Sequence, residues 1–475
     1  MNLYGKMKHA IALLLAVALL LTSIPTALGA SLEQEEEVRG LLEQYHLSKP
    51  SNTDLADKPI EEMVESLHDP YTQYYDDQQW KTLNAELEQT FVGIGIYLAE
   101  NKGKVYVEDV IADSPAMSAG LLAGDEFVAA DGVDLTGKTM AEVQQTLRGE
   151  EGTVVSLTVS RQGKAMKFRI TRKSVHIPVV TSRLLEKGIG YLALSAFTSE
   201  SGKEVKSELE KLEKSGLDAL VLDLRNNGGG YVNAAQEIAG LFIEKGVLAH
   251  LRDNTGADSP LDVKGTSKPY SVVLLVNGNS ASASELLSGA LRDYGIATLV
   301  GTRTFGKGVV QSLHPLQSGG MLKLTVQEYY TPLGKKVDKT GLIPELVLNG
   351  AAEQLIGAYR LAGGGQVSVT AREGILTVNG VRMAQSGAIV KDKQAWQINI
   401  KLAASIVGAK LTYDAKSRAY KLDRAKQTVT IKTNDPRLTL KDGSASLDVK
   451  TLKKLFSGVT YSVSGDTLKL SAKSP

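Results

Sequence analysis

The chain has 475 residues, enough for several domains rather than one. Its 54 basic and 53 acidic residues leave a formal net charge of +1, with no sign of a nucleic-acid surface or an acidic tail. It has no cysteine, which excludes disulfides, thiolate metal sites and cysteine nucleophiles.

In chain order, Lys6 and Lys8 precede an apolar run from Ile11 to Ile24, followed by PTALGA. A basic start, a short apolar core and a small-residue A-x-G site read as an export signal over residues 1–29, with cleavage after Gly29. The apolar run is short for a membrane span, and an uncleaved anchor stays open. No cysteine stands at the cleavage site, which excludes lipidation, and no later apolar run is long enough to cross a bilayer.

Residues 31–89 are polar, with apolar positions at helical spacing in SLEQEEEVRGLLEQYHL and IEEMVESLHDPYTQYYDDQQWKTLNAELEQ. From 90 to 172 the texture changes to short β-type runs separated by glycine (FVGIGIYLAE, KVYVEDVI, EFVAADGV, VVSLTVSRQGKAMKFRI) around one helix, MAEVQQTLRG. Over 173–350 strands and helices alternate, which predicts an α/β core with mainly parallel strands. LAGGGQ (361–366) reads as a linker, and 370–475 returns to short strands with helices near 397–407 and 448–456. That last part has no histidine or cysteine, which makes a transition-metal site improbable there. The expected fold class is multidomain α+β: N-terminal helices, a β-rich module, an α/β core and a small C-terminal α+β domain.

GTRTFGKGVV (301–310) comes close to the phosphate-binding pattern G-x-x-x-x-G-K-[ST], but Gly308 stands where a hydroxyl should ligate Mg²⁺. Val309, Val310 and Gln311 then read as a strand, where a phosphate site needs a helix N-terminus. Lys307 therefore has another task. DLRNNGGG (Asp223 to Gly230) follows an apolar strand, and its glycines let the backbone turn sharply and aim N–H groups at one point. Taken alone, the stretch reads rather as an ordinary strand-to-helix turn. VNGNSASASELLSGAL (276–291) places Ser280, Ser282 and Ser284 at a helix start, as nucleophile candidates or as caps. A serine nucleophile needs a base. His9 lies in the signal, and His46, His68, His176, His250 and His314 read as surface or packing residues. A lysine serves instead where burial populates its neutral amine, and Lys307 sits between glycines in apolar surroundings.

SASASE, then TFGKGVVQ, with DLRNNGGG upstream, resembles the carboxyl-terminal processing proteases, the tail-specific S41 serine peptidases with a PDZ domain. The resemblance covers residues 40–348 and includes DPYTQYYD (69–76) and the PDZ-like GLLAGDEFVAADGVDLTGKTMAEVQQTLRGEEGT. It implies Ser282 as nucleophile, Lys307 as general base 25 positions later, and Gln311 orienting the lysine. It further implies an oxyanion hole from the amides of Gly230 and Ala283, and a structural acid at Asp293. Asn279 stands where the family often has glycine. In the PDZ-like module the resemblance places Gly93, Ile94, Gly95 and Ile96 in the loop that captures a C-terminal carboxylate. By itself that GIG reads equally as a bulge. Arg148 either contacts ligand or core, or is a solvated helix-end arginine. No metal, nucleotide or other cofactor is implied. The implied partners are proteins or peptides with a free C-terminus and no nucleic acid. Membrane or wall association and a homodimer stay open.

Residues 370–475 resemble the copper amine oxidase N-terminal-like (stalk) domain of bacterial envelope proteins, with LDVKTLKKLFSGVTYSVSGDTLKL as a degenerate second copy. That likeness implies no copper. The expected function is an exported PDZ-regulated serine endopeptidase. A catalytically silent PDZ scaffold of the envelope and a hydrolase of non-peptide esters or amides are the rival readings.

Overall fold

The computed structural model describes residues 32–101, 103–372, 374–383, 387–392, 395–425, 427–441 and 443–473. The expected export signal, residues 1–29, lies outside them. The molecule is a multidomain α+β protein built around a six-stranded sheet. Its order is Val180–Leu184, Ile189–Leu194, Ala219–Asp223, Ser271–Val276, Ala297–Gly301 and Leu346–Val347. Every neighbouring pair except the first is parallel.

The central strands read as unbroken apolar runs because both faces of the sheet are covered. Leu220, Leu222, Leu274 and Leu299 pack with Val205, Leu209, Ile238 and Leu287 of the helices Ser201–Lys214, Val232–Ala239 and Ala283–Asp293. The alternate residues Val221, Val273, Leu275 and Val300 turn the other way, onto Leu355, Ile356 and Tyr359 of the helix Ala351–Leu361. That second core continues into the C-terminal domain. The 361–366 glycine stretch is therefore no free linker. Tyr359 is fully buried, Gly364 donates to its carbonyl at 2.9 Å, and Arg360 donates to the Ser405 and Ile406 carbonyls at 2.5 and 2.7 Å.

A second, antiparallel sheet joins Val309–Pro315, Met321–Tyr330, Lys245–Arg252 and Asp258–Lys264. Its remaining strand, Gln73–Tyr75, pairs with Met321–Lys323. Residues 31–89 are thus not wholly helical. Pro70 breaks the helical pattern, and two tyrosines that favour strands find an open sheet edge.

Ile96–Asn101 opens a separate sheet with its own core of Val107, Phe127, Val143 and Leu157. This strand lies at the sheet edge and the helix Met140–Leu147 packs beside it. Thr90–Gly93 and Lys173–His176 pair with each other as a two-stranded neck below that module.

The C-terminal domain repeats one pattern twice. The strands Ala395–Asn399 and Ser444–Asp448 pair with each other, and each ends in a residue that caps the following helix. Asn399 accepts from the Lys401 amide and Asp448 from the Lys450 amide. An antiparallel hairpin follows each helix.

Candidate active site

Three chain segments meet at the C-terminal ends of the central parallel strands, where open α/β sheets place their sites. Ser280 and Ser284 are fully buried and committed: Ser280 Oγ donates to the Leu224 carbonyl at 2.7 Å and Ser284 Oγ to the Asn227 carbonyl at 2.9 Å. The Ala281 amide donates to that same Asn227 carbonyl at 3.1 Å. Asn279 Nδ2 and Asn277 Nδ2 both reach the Asn226 side-chain oxygen, at 3.0 and 2.9 Å. These bonds lace the 223–230 turn to the 277–284 turn, and Asn279 earns a role that glycine would not have. Ser282 is left half-exposed at the helix N-cap with φ 55° and ψ −114°. Such a conformation in a residue with a side chain costs about 1–3 kcal/mol and persists only where the surroundings impose it.

Glu285 imposes it. Its buried carboxylate accepts the Ser282 amide at 3.0 Å, the Gly306 amide at 2.8 Å, the Lys307 amide at 2.9 Å and the Thr304 hydroxyl at 2.5 Å. Burial raises its pKa and the four donors oppose that shift. Tyr329, also fully buried, donates its hydroxyl to the Lys307 carbonyl at 2.9 Å and reaches the Ser282 carbonyl at 3.3 Å. One acid and one phenol therefore fix the Ser282 turn and the Lys307 loop against each other. Sequence reasoning missed both. The signal for Glu285 was present, since Ser282 and Glu285 have the S-x-x-E spacing of a capping box.

No helix follows Lys307: the loop 302–308 runs straight into the strand Val309–Pro315. Burial pushes the lysine pKa down to about 8, and the ammonium of Lys323 pushes the same way against the carboxylates of Asp69 and Glu285. Lys307 Nζ rests over the Tyr71 ring, 4.6 Å from its centroid. Among the described residues no hydrogen bond joins it to Ser282 or to Gln311. Gln311 instead gives its Nε2 to Thr325 Oγ1 at 3.3 Å. The register of its strand slips between Val310 and Gln311, and this bulge sets where the side chain points.

Gly230 bridges to Phe197, and a Cβ there would lie 2.1 Å from the Phe197 carbonyl oxygen, so only glycine fits. A Cβ on Gly229 would sit 3.0 Å from the Ala283 nitrogen, which shows how closely the turn approaches the helix start. Among the described residues neither the Gly230 nor the Ala283 amide donates a hydrogen bond. Asp293 lies at the far end of the same helix. It accepts from Thr331 and, at 3.1 Å, from the Leu333 amide, and so anchors a turn. Four of the five histidines among the described residues have side-chain partners: His46 with Asp69, His176 with Glu204, His250 with Asp258, and His314 with Ser312.

In the module above the neck, Gly93 ends one strand, Ile96 opens the edge strand, and Ile94 and Gly95 lie between them. The Ile94 and Gly95 carbonyls are held by the Ala116 and Ile111 amides at 2.8 and 3.1 Å. Their own amides donate to nothing among the described residues. Arg148 is exposed at the end of the neighbouring helix, without a side-chain partner among the described residues. No group of three or more metal-ligating side chains occurs among the described residues.

This architecture is that of a serine peptidase core with a peptide-binding module ahead of it. Residues 188–348 match the peptidase family S41 model and residues 106–161 match a PDZ domain. The chain belongs to the S41 serine peptidases that carry a PDZ domain. A probable CtpA-like serine protease of Staphylococcus aureus (strain bovine RF122 / ET3-1) is 34% identical over 324 residues, covering 67% of this chain and 65% of the relative. A protein of the same description from Staphylococcus haemolyticus (strain JCSC1435) is 32% identical over 327 residues, covering 67% and 66%. The alignment to the Staphylococcus aureus relative thus spans less than two thirds of that protein's length. Among solved structures, a photosystem II D1 C-terminal processing protease is 27% identical, with 70% of this chain and 98% of that one covered and a TM-score of 0.45.

Proposed function

We propose that the protein is an exported serine endopeptidase that receives protein C-termini in its PDZ domain and cleaves peptide bonds with Ser282 as nucleophile and Lys307 as general base. One observation carries this reading. Glu285 binds the amides of Ser282 and Lys307 through a single carboxylate, so the two loops cannot separate without orphaning a buried charge.

In the proposed mechanism the neutral Lys307 amine takes the Ser282 proton and Ser282 Oγ attacks the scissile carbonyl. The carbonyl oxygen, now an anion, lies between the Gly230 and Ala283 amides, which have no competing acceptor. The positive end of the helix Ala283–Asp293 adds to that stabilisation. Lys307 then protonates the leaving amine, and water hydrolyses the acyl-enzyme by the same path. Among the described residues Lys307 Nζ, here over the Tyr71 ring, makes no hydrogen bond to Ser282, in keeping with catalytic contacts that tighten only around substrate. Gln311 would direct the amine once it shifts.

In the PDZ domain, the free amides of Ile94 and Gly95 suit a terminal carboxylate, and the edge strand Ile96–Asn101 suits an added peptide strand. Arg148 lies where it could add a positive charge. The neck ties this domain to the core through both its ends, which suits a gate as well as a tether. Export follows from the N-terminal signal, with the C-terminal domain as a docking, wall-facing or dimerisation module. The test is cleavage of an unfolded casein-like substrate by the wild type beside Ser282→Ala. Equal cleavage by the two would overturn the proposal.

A further inference from the structure

Tyr71 is remote from Lys307 in sequence, yet its ring is what Lys307 Nζ rests upon. The loop that carries it is built in. Asp69 accepts the Tyr71 amide at 3.0 Å, the Thr72 amide at 3.1 Å and the Thr72 hydroxyl at 2.6 Å. His46 Nε2 lies 3.4 Å from the same carboxylate. Thr72 Oγ1 in turn accepts the Thr325 amide at 3.0 Å, and the Thr325 hydroxyl accepts from Gln311. The strand Gln73–Tyr75 then pairs with the strand that carries Thr325. The ring is thus fixed to the strand pair that begins two residues after Lys307.

We propose that Tyr71 is a positioning residue for Lys307, whose ring face receives the ammonium formed when the lysine takes the Ser282 proton. This rests on the dyad reading above. In that step the Ser282 O–H bond breaks, an N–H bond forms at Nζ, and the electron pair left on Oγ attacks the carbonyl. A positive charge appears on Nζ in a half-buried site, where an aromatic face counts for more than it does in open water. Lys323, from the adjacent strand, opposes that charge, and its own Nζ is tied to Gln73 and Tyr75 at 2.9 and 3.1 Å. The carboxylates of Asp69 and Glu285 favour the charge, but each is already occupied by several donors. Asp338 accepts the Gly308 amide at 3.3 Å, and the Tyr329 hydroxyl is spent on two backbone carbonyls. The aromatic face is left to meet the new charge.

The test is the pH dependence of kcat/KM for the full chain with Tyr71→Leu and Tyr71→Phe. Leucine keeps the apolar cover and removes the π face. Its plateau rate should fall about tenfold and its midpoint should move to lower pH, because an ammonium without its partner loses its proton sooner and leaves a weaker base. Phenylalanine keeps the face and should stay within about twofold of wild type with an unchanged midpoint. A wild-type midpoint in Tyr71→Leu would overturn the proposal, and so would a Tyr71→Phe enzyme as impaired as Tyr71→Leu. Ser282→Ala and Lys307→Ala run alongside. Activity in either strikes the dyad itself, whereas silence in both with an unmoved Tyr71→Leu midpoint strikes only the role of the ring.

Discussion

If Lys307 is the base, the rate should follow its ionisation. A lysine with an ordinary pKa is neutral in roughly one molecule in three thousand at pH 7, whereas one held at about 8 is neutral in roughly one in ten. Burial and Lys323 therefore raise the supply of active base by roughly two to three orders of magnitude at neutral pH. The value of kcat/KM should climb about tenfold per pH unit below the midpoint, bend near pH 8 and level off above it. Lys323→Met removes the neighbouring ammonium and should move the bend to higher pH. The stability of the fold carries a linked sign. The folded-state pKa lies below the unfolded value, so the penalty for a buried ammonium is fully present below about pH 8 and disappears above the unfolded pKa of 10.5. Stability should rise across that window by up to about 3 kcal/mol, and Lys307→Met should gain up to about that much at pH 7. These are upper values, since water still screens part of the side chain. The assay is steady-state cleavage of a quenched fluorescent peptide from pH 6 to 10, beside denaturant melts of wild type and Lys307→Met. A bend below the usual histidine pKa of about 6.5 that vanishes in His314→Ala would refute the reasoning and make histidine the base. A Lys307→Met protein less stable than wild type at pH 7 would refute the burial argument.

Three further outcomes are expected. Ser282→Ala and Lys307→Ala should each lower peptide cleavage by at least about 10²-fold with unchanged circular dichroism, and a Lys307→Ala enzyme that keeps a tenth of wild-type activity would remove the lysine from the mechanism. Glu285→Gln puts an NH₂ group where the carboxylate accepts amide protons. It should cost about 1–3 kcal/mol in denaturant melts and about 10²-fold in rate, so a near-wild-type variant would show that the shared carboxylate does not position the site. Peptides with a free C-terminal carboxylate should speed cleavage of a second substrate while amidated versions should do so far less, and equal effects would dismiss carboxylate capture at Ile94 and Gly95.

What could be read directly from the sequence was local. DLRNNGGG and SASASE each describe a turn whose geometry is set within a few residues, by glycines that accept unusual dihedrals and by a serine and a glutamate at capping distance. The apolar strands around them announced a sheet covered on both faces, because continuous runs such as ALVLD leave no face for water. That a strand and not a helix follows Lys307 was also local. The tertiary structure decided the rest, because it depends on partners far apart in the chain. That the Glu285 carboxylate binds the Lys307 loop, that a bulge turns Gln311 toward Thr325, and that the LAGGGQ stretch is packed rather than free each require two distant segments to be brought together. The clearest case is Tyr71. Periodicity assigns its surroundings to helices, yet the pairing of Gln73–Tyr75 with the strand Met321–Tyr330 carries its ring onto Lys307. Strand pairing obeys no sequence spacing, so the meeting of this ring with Lys307 was invisible until the sheet was closed.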